Sequence, residues 1–283
     1  MEHSRSRLHS TLYHLLISIF VFLLIYPILW MIGTSFDANA NATVAASSFS
    51  FIPKLFTLDN YIQGWKGVGN SSFSVFFKNS FIVSGLTVIG QVASSTIAAY
   101  GFSRIRFKGS RMWFFCMMVT LMLPQQIIII PQYIIFSKLG MINSYLPLVL
   151  PAFFGYPFFI FLIMQFIQGI PADLDEAAKI DGCNKISIFY RIILPLIKPA
   201  IATSVIFSFY WSWQDFFGPL LFIQSPEKYT LSLALSLFVD PSSVTNWGSV
   251  FAMSFLSLLP IFLLFVFTQK YLVEGISMTG LKS

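Results

Sequence analysis

EAAKIDGCNKISIFYRIIL occupies residues 176–194, and Pro195 follows it. The surrounding chain is oily, yet Asp173, Asp175, Glu176, Lys179, Asp181, Lys185 and Arg191 crowd together here. Each charge at mid-bilayer costs ~3 kcal/mol on insertion scales, so burying all of them would cost on the order of 20 kcal/mol. The segment lies outside the hydrocarbon, and its placement decides how the rest of the chain threads.

Pro171 to Asp181 reads as a helix. Pro171 suits the first turn, where its missing N–H is no loss. Asp173, Asp175 and Glu176 sit at the positive end of the helix dipole. Asp175 and Lys179 are four apart with the acid first, the favourable order for an ion pair. Gly182 stops the helix. Leu174, Ala177, Ala178 and Asp181 share a face, and the two alanines allow close approach by another surface. A second short helix, about Lys185 to Arg191, returns the chain to the membrane at Pro195.

Composition agrees with a membrane protein. The 283 residues are 56% hydrophobic and 10% charged, with mean hydropathy +0.77 and 33 Phe, whereas soluble domains are about 25% charged. The net charge of +6 reads as basic loops on the inner side rather than as a nucleic-acid surface. Cys116 and Cys183 stand in different surroundings and offer neither a disulfide nor a metal spacing. His3, His9 and His14 are confined to the first fourteen residues and read as solvated or interfacial, not as ligands. The first apolar run reads as a retained helix, not a cleaved signal.

A membrane helix needs about 20 mostly apolar residues. Six stretches qualify, near 13–33, 80–102, 112–133, 146–169, 199–223 and 249–269. With both termini inside, the inner segments hold twelve of the 17 Lys and Arg and the outer segments five. That bias favours cytoplasmic N and C termini. Residues 1–12 then form a cytoplasmic N-terminus, 13–283 one transmembrane domain, and 170–198 a cytoplasmic loop.

Within the loop, Glu176, Ala177, Ala178, Gly182, Ile192, Leu194 and Pro195 follow the spacing Glu-Ala-Ala, three residues, Gly, nine residues, Ile, one residue, Leu-Pro. This resembles the "EAA" signature of ABC-importer permeases at every fixed position. FTLDNY (56–61), FFKNSFIVS (76–84), WSWQDFFGPLLF (211–222) and the tail QKYLVEGISMTGLKS (269–283) resemble the carbohydrate branch, specifically the second permease subunit of maltose-type importers. The resemblance implies an all-α integral membrane protein with six transmembrane helices, the type I ABC-importer permease fold and a cytoplasmic coupling helix. It implies a bacterial inner-membrane location, a second homologous permease (a heterodimer), two ATP-binding subunits and an extracytoplasmic solute-binding protein. It implies an oligosaccharide as cargo; uronate-containing chains such as alginate or pectin fragments are among the substrates such systems carry. Asp173, Leu174, Glu176, Ala177, Ala178, Asp181 and Gly182 would meet the ATPase, with Glu176 as the charged anchor. Gly280 and Lys282 in the tail would form a second contact with it, and the 224–248 loop would touch the binding protein.

No Gly, four residues, Gly-Lys-Ser/Thr run exists to cradle phosphates. No cofactor is expected on this chain, no catalytic residue and no metal; ATP and Mg would belong to the partner subunit.

Polar side chains inside spans usually face a cavity or a partner helix. Gln91, Gln125, Gln126, Tyr210, Trp211, Gln214 and Asp215 are the pathway candidates, because amides and aromatic faces suit sugars. Ser84 and Thr87 read as helix packing, where small polar residues are common. Asp215 lies ~24 Å along its span at the helical rise, near the outer surface. A hydrogen-bonded structural role suits it better than a proton relay. Two rivals stay open: a permease of this fold carrying a non-sugar solute, and a proton-coupled secondary transporter acting alone.

Overall fold

The computed structural model describes residues 2–46, 51–67, 71–239 and 245–280; side chains of 2–8, 125 and 270–280 lie outside that description. The described chain is helical throughout. Its sole strand-like pairing is an isolated antiparallel bridge between Asp37 and Phe56.

The helices that matter here are α1 (Glu2–Ser35), α2 (Phe73–Arg104), α3 (Ser110–Thr120), α4 (Gln125–Lys138) and α5 (Pro157–Gln168). They are followed by α6 (Asp173–Ile180), α7 (Lys185–Leu196), α8 (Lys198–Gln214), α9 (Phe217–Phe222) and α10 (Trp247–Gly280). All six apolar stretches are largely helical. Among the described residues, four helical stretches are long and apolar enough to cross a bilayer alone: His9–Ser35, Phe73–Arg104, Leu146–Gln168 and Trp247–Gln269.

The expected third and fifth spans are broken instead of continuous, and proline explains both. Leu121, Met122 and Leu123 tighten into i→i−3 hydrogen bonds at the end of α3. Pro124 then turns extended, with ψ 134°, having no N–H to continue the ladder. The fifth stretch breaks at Asp215, ψ 118°, four residues before Pro219, whose missing N–H leaves the Asp215 carbonyl without its helical donor. Before it, α7 and α8 meet at 75°. Pro195 and Pro199 flank that bend, and a π-helical segment, Phe189–Ile193, precedes it. Such bulges and prolines are the usual sources of sharp kinks.

Contacts divide the chain into two compact units, 1–73 with 235–259 and 74–234 with 260–283. In the first, Asp37 is buried and organises the turn after α1. It accepts hydrogen bonds from the Thr43 hydroxyl and the Asn39 N–H, both at 3.0 Å. Asn60 Nδ2 donates to the carbonyls of Ser35 and Asp37, both at 2.9 Å. Burial alone would raise the Asp37 pKa, but these donors and the backbone N–H groups around it outweigh burial and hold it below the ordinary value.

In the second unit one core joins the last turns of α2 to α5, α7 and the start of α8. Ala99, Tyr100, Ile163, Ile167, Ile188, Ile193 and Ile197 meet there. Away from that core, Asn143 ties two loops together from a left-handed conformation, φ 60°. Its Oδ1 accepts from the N–H groups of Gln224 and Ser225, its Nδ2 donates to Ser225 Oγ, and its carbonyl accepts from Lys228 Nζ. Asn tolerates this backbone better than other non-Gly residues. Asn79 Nδ2 adds bonds to the carbonyls of Glu227 and Tyr229.

Candidate functional site

The charged stretch folds as two short helices around Gly182. Helix α6 starts at Asp173, two residues later than its proline suggests, with the Ala172 carbonyl accepting from the N–H groups of Asp175 and Glu176. Its end is a Schellman motif. Gly182 adopts φ 82°, its N–H reaches the Lys179 carbonyl at 3.0 Å, and the Cys183 N–H reaches the Ala178 carbonyl at 2.9 Å. Asn184 then caps α7, its Oδ1 accepting from the Ser187 N–H at 2.8 Å. Two caps within three residues make the turn stiff.

Helix α6 presents two different sides. Asp175 and Ala178 are buried, and Ala178 belongs to the core. Asp173, Leu174, Glu176, Ala177, Ile180, Asp181 and Gly182 are exposed. The two alanines therefore do not act together as the sequence suggests. They lie 100° apart on the helix, so Ala178 seats α6 on its own protein while Ala177 faces away. Ile180 is 87% exposed, Ile186 68% and Tyr190 59%. These apolar groups stand beside the exposed acids, and the sequence reading passed over them.

Asp175 does not pair with Lys179 as expected. Its Oδ2 lies 3.1 Å from Arg104 Nε, at the end of α2. Both side chains are almost fully buried. A buried charge keeps a partner because solvation by water is lost, and Lys179 is exposed. Arg104 also donates through Nη2 to the carbonyls of Ile167 and Ile170, at 3.1 and 2.7 Å. One turn earlier, the Tyr100 hydroxyl donates to the Lys185 carbonyl at 2.9 Å. No sequence signal links 100 and 104 to 175 and 185, since the contacts span about seventy to eighty-five positions.

The pathway candidates are distributed over α2, the start of α4 and the end of α8. Gln91 Oε1 accepts a hydrogen bond from Ser208 Oγ at 2.6 Å, joining α2 to α8. Trp211 is held among Tyr156, Phe158, Phe159 and Phe207, stacked on Phe159 with centroids 5.4 Å apart; it is a packing residue in this state. Tyr210, Gln214 and Gln126 are exposed. Gln125 begins α4, and its side chain lies outside the described residues. Asp215 Oδ1 accepts from the Gly218 N–H at 3.1 Å, capping α9. Ser84 and Thr87 are buried, as expected of packing positions. The tail differs from a frayed end, since α10 runs on to Gly280; Lys282 and residues 240–244 of the outer loop lie outside the described residues.

Residues 90–277 match the model of a family described as the binding-protein-dependent transport system inner membrane component. The chain is 36% identical to the probable ABC transporter permease protein YurM of Bacillus subtilis, over 94% of this chain and 88% of that one. It is 30% identical to the arabinooligosaccharides transport system permease protein AraQ of the same organism, over 98% and 96%. In fold it is similar to a chain in the crystal structure of a bacterial ABC transporter involved in the import of the acidic polysaccharide alginate. The TM-score is 0.82 at 22% identity, covering 94% of this chain and 96% of that chain.

Proposed function

The chain belongs to the family of inner membrane components of binding-protein-dependent transport systems, and from that premise we propose that it carries an oligosaccharide, uronate-containing chains included, into the cell. The proposed assembly has a second, different permease, two ATP-hydrolysing subunits and an extracytoplasmic binding protein. Both termini and the 170–198 loop face the cytoplasm, where the inner-side excess of Lys and Arg belongs.

The observation that carries this reading is the capped helix α6, with Leu174, Glu176, Ala177, Ile180 and Asp181 exposed on one side and Ala178 seated in the protein on the other. A stiff knob of acids and apolar groups is what a groove on an ATPase subunit can grip. Glu176 supplies the charge, and Leu174 and Ile180 the apolar contact. Closure of the ATPase pair on binding ATP pushes the knob, and the membrane helices switch between inward- and outward-open arrangements by rigid-body movement. This chain performs no covalent chemistry in that cycle; ATP and Mg stay on the partner. Arabinooligosaccharide and galactooligosaccharide relatives support the cargo class.

Affinity purification of the chain from its native membrane, with mass spectrometry of what copurifies, tests the reading. Recovery of an ATPase, a second permease and a binding protein whose bound ligand is an oligosaccharide is the expected result. Recovery of the chain alone, moving solute in liposomes without ATP, overturns it.

A further inference from the structure

We propose that the last turn of α2 is the internal lever of the coupling knob, with Arg104 as its positioning residue. The inference rests on the functional reading above and goes beyond it: α6 and α7 move as one body with α2, and the Arg104–Asp175 ion pair is what makes them do so.

Five contacts carry it. Tyr100 and Arg104 lie one turn apart and so project from the same face of α2. Arg104 holds Asp175 of α6 by charge, Nε to Oδ2 at 3.1 Å. The same guanidinium holds the chain just before α6 through the carbonyls of Ile167 and Ile170. Tyr100 holds the first residue of α7 through the Lys185 carbonyl, and its ring packs on Phe189 with centroids 4.9 Å apart. One helical turn thus grips both halves of the knob and the end of α5 that leads into it. The planar guanidinium serves the two carbonyls through Nη2 and the carboxylate beside Nε from one fixed fork.

Geometry also says where the link yields. Asp175 Oδ1 and Arg104 Nε–H are buried and make no hydrogen bond among the described residues. Charge attraction, not an aligned hydrogen bond, joins α2 to α6. Neutralising either partner frees α6 from α2 while the Schellman turn and the Asn184 cap keep the knob itself folded.

The test uses the complete complex purified from membranes, in a background carrying Cys116→Ser and Cys183→Ala. Spin labels at Ile97→Cys on α2 and Lys179→Cys on α6 report the distance between the two helices; both positions are exposed, and copurification of the ATPase with the labelled chain shows that the labels leave docking intact. With the clamp intact, the distance is the same in nucleotide-free and vanadate-trapped complexes. With Asp175→Asn added, it differs between the two states. In proteoliposomes probed with labelled arabinotriose, galactotriose and maltotriose, Asp175→Asn and Arg104→Gln lower uptake per ATP hydrolysed by about tenfold, within the usual range of coupling free energies. Hydrolysis itself persists, and the exchange Arg104→Asp with Asp175→Arg recovers part of the loss. A distance that already shifts with the clamp intact, one that shifts no more in Asp175→Asn, or an unchanged uptake ratio overturns the proposal. Loss of assembly in both variants overturns it too, since the clamp then serves folding alone. Failure of the functional reading looks different: no ATPase copurifies, and no nucleotide-dependent state exists to compare.

Discussion

Arg104 and Asp175 stand seventy-one positions apart and meet at 3.1 Å, almost out of contact with solvent. The pair ties a membrane-length helix to the charged knob, so a local motif gains a fixed attachment. Five further expectations follow from the structure.

Glu176→Lys reverses a charge on the exposed side of α6. The expected outcome is normal membrane insertion with lost ATPase copurification or ATP hydrolysis uncoupled from uptake. Wild-type copurification and uptake would show that the knob face is not the docking face.

Ile180→Asp and Leu174→Asp replace exposed apolar groups. Thermal stability of the isolated chain in detergent stays within about 0.5 kcal/mol, as for most surface changes. Copurification of the ATPase falls sharply. A loss of chain stability matching the loss of the partner would place these side chains in the protein's own core.

Gly182→Ala keeps open space around its new methyl group, since nothing lies within 4 Å. Its backbone sits at φ 82°, so the penalty is conformational, roughly 1–2 kcal/mol for a left-handed L-residue. Gly182→Asn is tolerated better, because Asn visits this region. Equal melting temperatures for the Ala and Asn variants would contradict the Schellman assignment.

Asp215→Asn retains the oxygen that accepts from Gly218 N–H; Asp215→Ala does not and loses roughly 0.5–2 kcal/mol, the usual worth of a cap. Uptake should survive Asp215→Asn and show no dependence on a pH gradient. Abolished uptake in Asp215→Asn would instead revive the proton-coupled reading.

Asp37 gives a pH dependence with a definite sign. Its folded pKa lies below 3.8. It therefore contributes stability that is fully present above the unfolded value and is lost as pH falls through the folded one. Asp37→Asn should lower the melting temperature at neutral pH, and the gap to wild type should narrow below about pH 4, the ordinary Asp range. A gap that widens on acidification would mean that the carboxyl is held neutral.

The EAA spacing, the apolar runs and the helix-stopping Gly182 are short-range signals, and each is readable from neighbouring residues. Membrane class, helical architecture, family and the place of the charged knob follow from them. So does the capping, because a Schellman turn involves only six consecutive residues. The breaks at Pro124 and Asp215 were half legible: the prolines were visible, but a proline inside a span either kinks or is absorbed, as Pro131 and Pro260 are within α4 and α10.

What the linear order could not decide is which side of each element turns inward. Asp175 has a good local partner in Lys179 and takes a distant one, because burial raises the cost of an unpaired charge and, among the described residues, Arg104 is the cation that reaches that site. Ala177 and Ala178 are chemically identical neighbours separated into surface and core by a 100° helical step and by where α5 and α7 happen to stand. Trp211 reads as a pathway candidate, and only the fold shows the rings of Phe158, Phe159 and Phe207 packed against it. Sequence alone determined the elements and their chemistry, since helix periodicity, caps and hydropathy act over a few residues; pairing between elements was left to the tertiary structure, because desolvation and close packing depend on neighbours that the chain brings together only by folding.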